Sequence, residues 1–253
     1  MGRLKFLRKT QQREDICIIE EKKGEIAMRR IGIIVLVLVS LVLTSCLKDD
    51  DHYSLDNVWI SLGFVEKDGS TPVTIRLDDG SLLFPVTGGI HTSLPDSGTR
   101  VLVNYTVLGD KLVNDSVKEY LVRVNSYREV LKKGVIELTP AIEDSIGNDP
   151  VIVEDVWISS NQLLNMELRY YGRNKVHFIN LVRVPGPLTA EDQPFELEFR
   201  HNDNGDDLVY SMNALVSFDL SSLKVAGLDS VRFTVKSVDY DDQVHTFNGV
   251  YRY

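Results

Sequence analysis

"VTIRLDDGSLLFPV", Val73 to Val86, sets two short alternating runs, Val73–Leu77 and Ser81–Val86, on either side of Asp78-Asp79-Gly80. An Asp-Gly step between two apolar runs signals a hairpin, because Gly enters the positive-φ region without a steric penalty. Three further runs flank it. Val58–Glu66 comes before, ending at the turn Lys67-Asp68-Gly69-Ser70, and Arg100–Leu108 and Tyr120–Val130 come after. Five closely spaced strands within residues 55–132 suit a small closed barrel. The OB-fold is the expected form, with "SGTRVLVNYTV" (Ser97 to Val107) as its fourth strand. Trp59, Phe64 and Tyr105 are expected to fill the barrel, while Arg76 and Phe84, on the outer face of strands two and three, form a candidate ligand surface.

The same alternation resumes further on. Phe195-Glu196-Leu197-Glu198-Phe199-Arg200 and Val231-Arg232-Phe233-Thr234-Val235-Lys236 each read as strands with one buried face. Together with Val151–Ser159, Leu163–Tyr171, Lys175–Val184, Ala214–Asp219 and Gly249–Tyr253 they predict a β-sandwich of about seven strands over residues 151–253. Residues 133–150 mix glycines, prolines and acids without sustained alternation and read as a linker. Helical periodicity is confined to a single turn within Asp219–Val225. The chain is therefore expected to be all-β, and its 253 residues suffice for two domains that each bury a core.

The first 54 residues obey different rules. Ile31–Leu43 ("IGIIVLVLVSLVL") is apolar throughout and comes directly after Met28-Arg29-Arg30. It is shorter than the roughly 20 residues that span a bilayer, and fits the apolar core of an export signal over residues 28–45. Leu43-Thr44-Ser45-Cys46 closes it and resembles a bacterial lipobox, which implies cleavage between Ser45 and Cys46 and a diacylglyceryl group on the Cys46 thiol. An ordinary secretory signal with a chance cysteine is the alternative. Acyl chains contribute about 0.8 kcal/mol per buried methylene, so several of them would hold a water-soluble body at the membrane.

Residues 46–54 read as an acidic tether. Within it Lys48, Asp49, Asp50 and Asp51 resemble the export signal of Bacteroidetes lipoproteins, implying the outer face of the outer membrane, with the periplasmic face as the alternative. Residues 1–27 precede a signal that already has a start residue at Met28, and read as an over-called extension. Cys17 leaves with them. Cys46 would then be the one remaining cysteine, which excludes disulfides, thiolate catalysis and cysteine metal sites.

Beyond residue 45 there are 19 Lys or Arg against 32 Asp or Glu, a net charge of −13. Such a body repels phosphate backbones, so nucleic acid is not an expected partner. The order of lipobox, acidic tether, "SLDNVWISLGFV" (54–65), "LRYYG" (168–172), "HFINLV" (177–182) and "LEFRHND" (197–203) resembles the NigD-like lipoproteins of Bacteroidetes. The resemblance covers roughly residues 46–253 and implies an N-terminal OB domain followed by a C-terminal β-sandwich. It also implies an immunity or accessory role for some members, the family name coming from a bacteriocin gene cluster. It carries over no catalytic residues.

Chemistry is sparse. There is no nucleophile elbow, phosphate-binding loop, zinc-protease helix or dinucleotide fingerprint. In "RHNDNGDDLVY" (200–210), Asp203, Asp206 and Asp207 offer calcium-type oxygens, but the spacing lacks the terminal acidic ligand of a calcium loop. An Asn-Gly hairpin with solvated acids is the competing reading, and it applies equally to Asp239, Asp241 and Asp242. His177 and His201 would approach one another if their strands pair, giving half of a metal site or two satisfied structural side chains. No metal and no cofactor is expected. The leading function is a non-enzymatic cell-envelope lipoprotein, surface exposed, that binds a protein or glycan as an accessory or immunity-like module. A carbohydrate-active or otherwise hydrolytic lipoprotein, which needs two convergent carboxylates, and a structural or adhesion subunit are the alternatives.

Overall fold

The strands Trp59–Glu66 (β1), Thr74–Leu77 (β2), Leu82–Thr87 (β3), Arg100–Leu112 (β4) and Lys118–Glu129 (β5) close into a barrel in the order β1-β2-β3-β5-β4. They belong to a computed structural model that describes residues 54–67, 72–87, 94–112, 118–159 and 162–253. The hairpin at Asp78-Asp79-Gly80 forms as the Asp-Gly step dictates. Gly80 has φ 87°, its N–H donates to the Leu77 carbonyl at 2.9 Å, and the Ser81 N–H donates to Asp79 Oδ1 at 2.9 Å. The barrel interior is filled by inward-facing aliphatics, among them Val65, Ile75, Leu83, Val103 and Val122, all fully buried. Each such side chain contributes about 1.5–3 kcal/mol through loss of apolar contact with water.

The second domain is an eight-stranded sheet folded over on itself. Its strands are Leu131–Glu137 (β6), Ile152–Ile158 (β7), Leu163–Gly172 (β8), Phe178–Arg183 (β9), Phe195–Asn202 (β10), Tyr210–Asp219 (β11), Ser230–Val238 (β12) and Val244–Arg252 (β13). They run in the order β13-β12-β10-β9-β6-β11-β8-β7. Leu164, Met166 and Phe218 from one leaf face Leu181, Leu197, Phe199 and Phe233 from the other. The Phe199 and Phe218 rings meet edge-on at 6.2 Å.

β6 begins just before residues 133–150, read from sequence as a linker, and brings the sheet to eight strands where about seven were expected. Its first residues, Leu131–Gly134, pair in parallel with Val216–Asp219 of β11. Its last, Val135–Glu137, pair in parallel with Leu181–Arg183 of β9. The strand thus passes from one leaf to the other at Gly134. Its residues in register with buried neighbours, Leu131, Lys133 and Val135, mix apolar and charged side chains, so a periodicity reading finds no alternation there. The rest of the expected linker includes a helical turn, Glu143–Ile146. The turn expected within Asp219–Val225 is a 3-10 turn at Ser221–Leu223.

Two aromatics also lie elsewhere than expected. Tyr105 is inside the barrel, but Trp59 is 52% exposed. Phe64 points outward, because Gly63 and Val65 take the inward positions of β1. On that outer face Phe64 pairs with Arg100, Leu62 with Leu102 and Ile60 with Asn104 of β4. This β1–β4 face packs on the outer face of β8 and β11, where Asn165 pairs with Ser217 and Glu167 with Leu215.

Arg100 joins the two domains. Its side chain has no solvent exposure and forms an ion pair with Asp78. Nη2 donates to Asp78 Oδ2 at 2.7 Å and to Asn165 Oδ1 at 3.1 Å, and Nε donates to Ser217 Oγ at 3.2 Å. The Ser217 hydroxyl donates in turn to Asn165 Oδ1 at 2.7 Å. The guanidinium lies 4.9 Å from the centre of the Phe64 ring. All three guanidinium nitrogens are therefore satisfied, as a buried arginine requires.

Candidate functional site

His201, near the end of β10, lies one residue in register from the start of β9, pairing with Ile179. This brings its ring to His177, with Nδ1 of His177 2.9 Å from Nε2 of His201. The far nitrogen of His201 sits 3.0 Å from the Pro150 carbonyl oxygen, and the far nitrogen of His177 is 3.3 Å from Asp206 Oδ2. Tyr170 of β8 covers both rings, at 4.7 Å from His177 and 5.3 Å from His201. The side chains of His177 and Asp206 are 3% and 2% exposed.

The carbonyl at one end of this relay and the carboxylate at the other only accept hydrogen bonds. Burial, reinforced by the neighbouring His177 and opposed by the hydrogen bond to Pro150, pushes His201 below the ordinary histidine range. Burial alone would raise the Asp206 carboxyl. The backbone N–H groups of Arg173, Lys175 and Asp207 and the His177 ring outweigh it and hold the carboxyl well below the usual range.

Every ring nitrogen of the pair is thus engaged. Among the described residues no group of three or more His, Cys, Asp or Glu could hold a metal ion. The three acids of the 200–210 segment diverge. Asp206 turns inward; Asp203 accepts from the Gly205 N–H at 2.7 Å; Asp207 pairs with Arg173 at 3.0 Å on the surface. Asn204 and Gly205 both have positive φ, 56° and 61°, as a tight hairpin turn needs. Asp239 likewise caps its own turn, accepting from the N–H groups of Asp241 and Gln243 at 2.9 Å each.

On the barrel, Arg76 and Phe84 both point outward. Arg76 is tied to Glu66 of the neighbouring strand, at 2.6 Å and 3.1 Å, and Phe84 is half-buried beside Leu121 of β5. Ser45, Cys46, Lys48, Asp49, Asp50 and Asp51 lie outside the described residues.

A cleft of about 610 Å³ opens where the β1–β4 face meets the sandwich. Ile60, Leu62 and Leu102 line it from the barrel, and Trp157 and Leu215 from the sandwich. Its ionised groups are Asp78, Asp79 and Glu167. Asp78 is held by Arg100. Concave, mostly apolar hollows with a few polar groups at a domain junction are typical ligand sites. Neither this cleft nor the Arg100 junction is legible from strand patterns. The only sequence signals are the unexpected cation opening an apolar strand, Arg100, and the tryptophan outside any core, Trp157.

Two family models match in tandem: the NigD-like N-terminal OB domain over residues 62–130 and the NigD-like C-terminal beta sandwich domain over residues 134–248. The chain belongs to the NigD-like family. The two NigD-like domains meet between residues 130 and 134, at the start of β6. A protein described as toxin-related, from Parabacteroides distasonis ATCC 8503, shares 28% identity at a TM-score of 0.62, over 78% of this chain and 94% of that one. A NigD-like immunity protein from Bacteroides caccae ATCC 43185 shares 20% identity at a TM-score of 0.57, over 78% and 98%. A protein from Bacteroides fragilis NCTC 9343 described as a lipoprotein shares 13% identity at a TM-score of 0.52, over 77% and 96%. The last two establish likeness of fold. No curated protein sequence matches the chain.

Proposed function

We propose that this NigD-like protein is a non-enzymatic, lipid-anchored module of the cell envelope that binds another macromolecule as an accessory or immunity-like factor. The observation that carries the binding role is the apolar cleft between barrel and sandwich, which Arg100 keeps in register. Support for the anchor is Leu43-Thr44-Ser45-Cys46 behind an apolar run, with the described-as-lipoprotein relative of the same fold. No helix among the described residues is long and apolar enough to cross a membrane. The likeness to a NigD-like immunity protein supports the accessory reading.

Two measurements test it. Labelled palmitate is expected in the wild-type chain and absent from Cys46→Ser, which should leave the membrane fraction; a variant that stays membrane-bound overturns the anchor. A photo-crosslinking residue at position 157, in the cleft, is expected to give adducts on intact cells that the same residue at exposed position 232 does not. Equal yields at both positions, or none at 157, overturn the binding role.

A further inference from the structure

The charges of the cleft add a ligand class to the proposed binding role, and the choice of class rests on that role. With Asp78 engaged by Arg100, Asp79 on the barrel wall and Glu167 on the sandwich wall form no ion pair among the described residues, the Arg169 near Glu167 being paired with Glu154. The apolar floor between them includes Trp157, Leu215 and Ile60. Carboxylates beside an apolar hollow repel anions and favour a cation that brings apolar surface with it.

The apolar surface continues past the mouth. Ile60 is 63% exposed, and Val58 and Leu55, which lead into β1, are 58% and 60% exposed. A ligand longer than the cleft would find further apolar contact along this approach. A second copy of the chain is a poor occupant, since the −13 charge beyond residue 45 opposes self-association.

We propose that the cleft binds a basic amphipathic peptide segment, with aliphatic or aromatic side chains against Trp157, Leu215 and Ile60 and lysine or arginine heads at Asp79 and Glu167. The chain holds two tryptophans, so Trp59→Phe leaves Trp157 as its only indole. The full chain carrying this exchange is placed in phosphatidylcholine vesicles, with protein-free vesicles subtracted. It is titrated with a short peptide of alternating lysine and leucine, and with one in which glutamate replaces lysine.

A saturable change in Trp157 emission is expected with the lysine peptide and not with the glutamate peptide. Adding Asp79→Asn and Glu167→Gln should weaken Kd about tenfold. Asn at position 79 keeps an oxygen for the Ser81 N–H, and an unchanged unfolding midpoint verifies that the double variant folds. Undiminished affinity in the double variant, equal binding of the glutamate peptide, or no saturable change overturns the proposal. Crosslinking at position 157 that persists after such a failure leaves the binding role standing with a different ligand, whereas loss of both removes the role itself.

Discussion

Nε of Arg100, at the first residue of a barrel strand, donates across the domain junction to the hydroxyl of Ser217, 3.2 Å away in the sandwich. The contact is buried on both sides. It makes the relative placement of two separately cored domains depend on one cation and its partners.

Arg100→Met is therefore expected to destabilise the protein by about 3 kcal/mol, the lower end of what breaking a buried pair costs, because Asp78 retains some contact with water. Ser217→Ala removes one neutral partner and should cost about 1 kcal/mol. Urea unfolding of the two variants checks the ranking. Equal, small losses would mean that the junction owes little to the guanidinium.

The histidine relay makes stability fall on acidification. An unfolded histidine titrates near pH 6.5, whereas folded His201 is held lower, so between those values the unfolded chain binds more protons. Protonating His201 in the folded state would charge a buried ring whose Nε2 lies 2.9 Å from Nδ1 of His177. Asp206 acts in the same direction at lower pH: its contribution is present above the ordinary value of 3.8 and is lost as pH falls toward its depressed folded value. His201→Gln supplies a donor and an acceptor without titrating there. It should flatten the decline just below pH 6.5, as read from urea midpoints, and an unchanged slope would place its origin elsewhere.

Gly172 closes "LRYYG" for a steric reason. A Cβ there would lie 2.9 Å from His177 Nε2 and 3.0 Å from Asp206 Oδ2. Gly172→Ala should push the ring and the carboxylate apart and cost about 1–3 kcal/mol. The chemical shifts of the His177 ring should move with it, and a variant with native stability and unmoved shifts would show that the loop gives way freely.

A fragment of residues 131–253 should unfold cooperatively, and one of residues 151–253 should not, because the shorter piece lacks the strand that joins the two leaves. Thermal melts monitored by circular dichroism distinguish them. A cooperative transition in the shorter fragment would make β6 dispensable.

The barrel is legible because its signals are local: Asp79-Gly80 names its turn and the flanking runs alternate. The approach of His177 to His201 is legible too, since it comes from pairing two neighbouring strands. Asp206, which completes that relay, reads from sequence only as a calcium oxygen, because its burial depends on the N–H groups of Arg173 and Lys175 across a different turn. β6 stays hidden because Lys133 and Glu137 stand where its alternation would place apolar residues. The Arg100 junction and the cleft are illegible for a more general reason: Asp78, Arg100, Asn165 and Ser217 are far apart in the chain, and no periodicity links outward faces of different domains. Phe64 reads as inward because Gly63, whose inward place sets Phe64 outward, has no side chain for a periodicity reading to count.

Only Val130, itself buried, separates the last barrel strand from β6, and its N–H donates to the Arg100 carbonyl at 2.9 Å. A pull applied ahead of the barrel would meet no slack hinge on its way to the middle of the sandwich. Tension would enter at the strand that holds both leaves and would load the Arg100 contacts in shear, so the two modules should yield to stretching in one event instead of two.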